Sequence, residues 1–118
     1  MKKISVNCIT WSQEARDWKI IPYPGYYAGH IVPVNASSTV YGYPLYIYKN
    51  PISGNWYIID ENTGASLLNC SSKKEAVQSL ETSAAALDRF ITKNPENYNR
   101  YCERFSQKLN EHLREINA

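Results

Sequence analysis

Few of the side chains that carry chemistry are present: the 118 residues include two histidines, one methionine and three cysteines. Cys8, Cys70 and Cys102 stand far apart, with no CxxC pair and no histidine at metal-ligand spacing. Neither a zinc site nor a disulfide framework is legible in that set. An odd, dispersed group of thiols predicts reduced cysteines in a cytoplasmic protein, packed as small hydrophobes. The phosphate-loop, dinucleotide, zinc-protease and EF-hand patterns are all missing. No cofactor and no metal is therefore expected.

Long apolar runs are missing as well. Lys2 and Lys3 are followed by Asn7, Thr10 and Ser12, which interrupt any signal-peptide core. The longest stretch without Asp, Glu, Lys or Arg, residues 20–48, is broken by prolines and glycines that a membrane-spanning helix would not tolerate. Charge of one sign is also lacking: 13 basic and 11 acidic residues leave a net +2, too little to steer nucleic acid by itself.

Catalytic groupings are equally thin. Asp60 and Glu61 are neighbours at a strand end, so their side chains point to opposite faces instead of forming an acid and base pair. His112 falls beside the apolar stripe of a helix and reads as structural. His30 follows Gly29 at the end of an aromatic segment. Nothing at local spacing joins His30 to Cys8 and Asp60 as a nucleophile, base and orienting acid. No catalytic residue is assigned, and a small enzyme using His30 stands third among the functional readings.

Tyrosine is what the chain has in abundance, ten in all and eight of them between Tyr23 and Tyr57. Residues 2–10 alternate Ile4, Val6 and Cys8 against Ser5, Asn7 and Ile9, the period of a half-buried strand. Residues 11–17 read as a loop or a short helical turn. Strands are expected at 18–21 and 30–34, while two prolines and two glycines force residues 22–29 into an irregular loop. Asn35 to Ser38 reads as a turn. A strand over 41–49, a turn containing Pro51 and Gly54, a strand over 56–60, a turn at 61–64 and a strand over 65–70 then form a meander.

After residue 70 the period changes from about two to about three and a half. Ser72 and Glu75 form a capping box that opens a helix over 72–92, with Val77, Leu80, Ala84, Leu87 and Ile91 on one face. Asn94 and Pro95 end it and begin a second helix over 95–117, whose apolar face holds Tyr98, Cys102, Phe105, Leu109, Leu113 and Ile116. The fold class predicted is α+β in one domain: a mainly antiparallel sheet of four or five strands over 2–70, then an antiparallel pair of helices over 72–117.

Tyrosine supplies contact area, few rotatable bonds and a polar tip, so it suits interfaces as well as strands. Tyr46, Tyr48 and Tyr57 are accounted for by strand packing. Tyr23, Tyr26, Tyr27, Tyr41 and Tyr43, among prolines and glycines, are harder to bury and with His30 form the candidate partner-binding surface. Arg100, Arg104 and Lys108 recur every fourth residue as a basic stripe on the last helix, a candidate contact for an acidic partner or a phosphate backbone.

The run from Trp56 to Gly64, through Leu67 and Leu68 to Ser72-Lys73-Lys74-Glu75-Ala76-Val77, resembles a unit common in small accessory proteins of bacteriophages, plasmids and integrative elements. There a strand, a D-x-x-TG turn, a second strand and an S-K-K-E-A helix follow in order. The resemblance covers residues 56–77 and implies a supersecondary unit with no functional residue to carry over. Proteins of that kind, anti-CRISPR and other anti-defence inhibitors among them, act by binding a host protein. The function expected is thus that of a small, non-enzymatic, protein-binding accessory protein of a bacterium or mobile element, such as a stoichiometric inhibitor of a host defence nuclease. The alternative is a nucleic-acid-binding module that uses the basic stripe.

Overall fold

A computed structural model describes residues 1–33 and 41–117 of the chain. The turn expected at Asn35 to Ser38, and the end of the strand expected over 30–34, lie outside them. Five strands form one antiparallel sheet in sequence order: β1 (Lys2–Ser12), β2 (Asp17–Ile31), β3 (Tyr43–Lys49), β4 (Trp56–Asp60) and β5 (Ser66–Cys70). Three helices follow, α1 (Lys73–Gln78), α2 (Leu80–Lys93) and α3 (Pro95–Asn117). The α+β class and the division between a β-rich first part and a helical second part are as predicted.

Two local expectations are corrected. Residues 22–29 are not a loop but the middle of β2, which pairs with β1 without interruption from Asp17 to Tyr27. Parity explains the tolerance. Pro22 and Pro24 are two residues apart, so both ring nitrogens face the same edge of the strand, and β3 pairs with β2 only from Gly25 onward. A proline nitrogen turned to that edge forfeits no ladder bond. The four residues between β1 and β2 make a hairpin connection, in which Ser12 accepts from the Ala15 N–H at 3.2 Å and Arg16 takes a positive φ of 51°.

The second correction concerns the helices. The predicted first helix is divided at Ser79, whose ψ of 4° departs from helical values. The turn there rotates the apolar stripe, so Leu80, Ala84 and Leu87 are buried while Val77 is left exposed. The cap itself forms as expected, with Ser72 Oγ accepting from the Glu75 N–H at 3.1 Å. Glu75 reaches one residue further back than a capping box requires, to the N–H and hydroxyl of Ser71. At the far end of α3, Leu113 and Ile116 are exposed rather than packed.

The two faces of the sheet have different fates. Leu45, Ile47, Ile58 and Cys70 pack against Ala76, Leu80, Ala84, Leu87 and Tyr98 from the helices. Alternation sends Val6, Cys8, Tyr48 and Ile59 to the opposite face, where they form a second buried cluster. No helix is needed to bury them, because the sheet curls. The Ile9 N–H of the edge strand β1 donates to the Gly64 carbonyl between β4 and β5 at 3.0 Å, drawing β1 round toward the far side of the sheet. The second face is thereby folded inward as a concave surface.

Candidate functional site

Strand alternation divides the predicted tyrosine surface. Tyr23 and Tyr27 lie on the concave face with Tyr46, Tyr48 and Tyr57, whereas Tyr26 and Tyr43 lie on the face covered by helices. Tyr26 stacks with Trp56 at 6.4 Å between ring centroids, and the Lys73 ammonium sits 4.0 Å over its ring. Tyr43 donates to the Asp88 carboxylate of α2, and burial pushes its phenol up to about 12. These two are committed to joining sheet and helix.

On the concave face Tyr48 is sandwiched between Tyr23 and Tyr57, with centroid distances of 4.6 and 5.4 Å and planes within 12° and 18° of parallel. Both faces of the Tyr48 ring are thus occupied by its neighbours, so it has only its edge to offer a ligand. Tyr48 itself thus has no free face on which a base could stack. A cleft of about 220 Å³ lined by Cys8, Ile21, Asn50 and these three tyrosines opens beside the row. Cys8 is not a nucleophile there: burial raises its thiol to about 12.

The remaining members of the predicted surface gather at the end of the sheet where β2 leads toward β3. Tyr27 hydrogen-bonds through its hydroxyl with His30 Nδ1 at 2.9 Å. The backbone of Gly42, next to Tyr41, lies against that of His30 and Ile31. Around this pair Val32 is 52% exposed and Tyr41 93% exposed. Tyr27 and His30 are therefore brought together, Tyr27 also packing on Tyr46 at 5.2 Å between centroids; Tyr41 stands exposed beside the Gly42 backbone that lies against His30, and Tyr23, Tyr26 and Tyr43 are drawn into other contacts.

The nucleophile, base and acid set considered from the sequence does not assemble. Cys8 belongs to the concave face and Asp60 to the helix face, and His30 bonds to Tyr27. Among the described residues no group of three or more His, Cys, Asp or Glu side chains could hold a metal ion. No described helix is long and apolar enough to cross a membrane.

The basic stripe is largely engaged within the chain. Lys108 is paired with Asp17 of β2 at 2.6 Å and with Glu111 at 3.3 Å. The Arg104 guanidinium lies 3.8 Å from the Trp18 ring centroid and 5.0 Å from that of Tyr101. Arg100 is exposed and bonds to Asn97. The stripe therefore fastens α3 onto the β1–β2 hairpin, a role that charge spacing alone does not reveal.

One polar cluster has no counterpart in the sequence reading. Asp60 is fully buried, and its carboxylate accepts from Thr63 Oγ1 and the Tyr98 hydroxyl, both at 2.9 Å, and from the Asn62 N–H at 3.2 Å. Burial raises its pKa, the hydrogen bonds opposing that shift only in part. The D-x-x-T spacing was the available signal, since an Asp at a turn bonds readily to the backbone two residues on, here the Asn62 N–H, and its second oxygen then takes Thr63.

No family model matches the chain, and neither a curated protein nor a solved structure does.

Proposed function

We propose that this chain is a small, non-enzymatic, protein-binding accessory protein of a bacterium or mobile element, acting in the cytoplasm by occupying a host protein such as a defence nuclease. The observation that supports it is the exposed end of the sheet that carries Tyr27, His30, Val32 and Tyr41. Val32 and Tyr41 stand exposed there, at the end of the sheet that carries the hydrogen-bonded Tyr27–His30 pair. Exposed aromatics of this kind are typical anchors of protein interfaces. The nucleic-acid alternative would rest on Arg100, Arg104 and Lys108, and the internal engagement of two of them lends it no support.

The test is affinity capture of a partner from bacterial lysate, with and without nuclease, using the native chain and Tyr41→Ala. The expected result is one stoichiometric protein that survives nuclease and is held about tenfold or more weakly by the variant, a loss of more than about 1.4 kcal/mol. Because Tyr41 is 93% exposed, the variant should keep its fold. Recovery of nucleic acid alone, or a partner retained at full affinity by Tyr41→Ala, would overturn the reading.

A further inference from the structure

Beside β5, between the sheet and helices α2 and α3, lies an open cavity, a cleft of about 250 Å³. Leu67, Ala86, Phe90 and Tyr101 supply its walls, and no Asp, Glu, Lys, Arg or His is among the residues that line it. Phe90 and Tyr101 stack with planes 9° apart, which makes one wall continuous and aromatic. Thr63 and Tyr98 are the two buried polar residues of the lining. An apolar pocket with a few convergent polar groups is the usual form of a small-molecule site.

The hydrogen-bonding sense of those polar groups is fixed by what stands behind them. Thr63 and Tyr98 both donate their hydroxyl protons to the Asp60 carboxylate. Thr63 Oγ1 also accepts from the Ala65 N–H at 3.3 Å, so any further bond these hydroxyls make to a guest must use a remaining lone pair, and the guest must bring a donor. Asp60 itself has no ion-pair partner among the described residues, whose ion pairs both belong to Lys108. The Arg104 guanidinium, stacked between Trp18 and Tyr101, is not part of the lining. A buried carboxylate left without a counter-charge favours a cationic donor over a neutral one and disfavours an anion.

We propose that this cavity binds a compact amine, with an aromatic or branched aliphatic body against Leu67, Phe90 and Tyr101 and its ammonium group turned toward Thr63 and Tyr98. The aromatic wall supplies contact area for the body of the guest. This site is separate from the end of the sheet that carries Tyr27, His30 and Tyr41 and does not depend on its role.

Phenethylamine, 2-phenylethanol and phenylacetate share one body and differ in the head group, so they serve as probes. Each is titrated into the ¹⁵N-labelled chain and followed by amide chemical shifts. The expected result is saturable binding in the order amine, alcohol, acid, with the amine held about tenfold or more tightly than the acid. Shifts should centre on Leu67, Ala86, Phe90 and Tyr101. Ala86→Trp, at an exposed position of α2 that lines the cavity, should abolish binding by filling it. Asp60→Asn should narrow the preference for amine over alcohol. The proposal fails if phenylacetate binds as tightly as phenethylamine, if the shifts persist in Ala86→Trp, or if none of the three binds saturably at millimolar concentration.

Discussion

A methyl group at position 25 has no room. A Cβ built there would stand 2.5 Å from the Ile47 carbonyl oxygen, 2.7 Å from a Val6 methyl and 2.9 Å from Tyr48 Cβ. Gly25 thus sits where side chain and backbone of β1 and β3 close over β2, a place for a residue without a side chain in a curled sheet. Gly25→Ala should destabilise the fold by roughly 1–3 kcal/mol through overpacking, read as a lower urea midpoint at unchanged slope. A cost below about 0.5 kcal/mol, the range of ordinary surface changes, would mean that the curl does not depend on this contact. Two prolines and two glycines within residues 22–29 make Gly25 look like part of a loop. Close approach between strands leaves no local trace, so a glycine required by packing and one required by a turn look alike in the chain.

Asp60 links elements that are distant in sequence: it ends β4, its carboxylate takes Thr63 in the turn before β5, and Tyr98 brings in the first turns of α3. Its pKa is raised in the folded chain, with desolvation the largest cause. A carboxyl with a raised folded value binds its proton more tightly when folded. Its contribution to stability is then fully present below the unfolded pKa, near 4, and is lost as pH rises through the folded value. Comparison with Asp60→Asn isolates this group from every other titration. The stability of the native chain relative to the variant should increase as urea unfolding is moved from pH 7 toward pH 4. A relative stability that is flat or falls on acidification would show that the three hydrogen bonds outweigh burial. Much at this scale was legible: the alternation of Leu45 and Ile47 against Tyr46 and Tyr48, the Ser72 cap and the break at Asn94-Pro95 all follow from local chemistry. What escaped reading were effects of one element on another. Continuous pairing with β1 carries β2 through its prolines, burial of Leu80 and Leu87 is accompanied by the break at Ser79, and the Trp18 ring holds Arg104 in place of a free basic stripe. The placement of the tyrosines was half legible for the same reason. Alternation separates Tyr26 from Tyr27, but only the folded sheet shows that Tyr27 meets His30.

The molecule as a whole buries two layers of side chains on either side of one sheet, and a thiol marks each. Cys8 belongs to the concave cluster and Cys70 to the cluster beneath the helices. Burial raises both thiols, that of Cys8 to about 12, so neither reacts appreciably while the chain is folded. Cys102, only partly buried, provides an internal reference for access without full unfolding. If the sheet and helices form one cooperative unit, as expected of a single domain of this size, both buried thiols become accessible in the same event. At pH 8 with a thiol reagent, followed residue by residue by mass spectrometry, Cys8 and Cys70 should then be modified at one common rate, both more slowly than Cys102. That common rate should rise together for the two sites as urea is added. Earlier modification of Cys8 would instead show that the β1–β2 hairpin opens by itself. The Ile9 to Gly64 hydrogen bond would then be too weak a clasp to make the concave face part of the same folding unit as the helices.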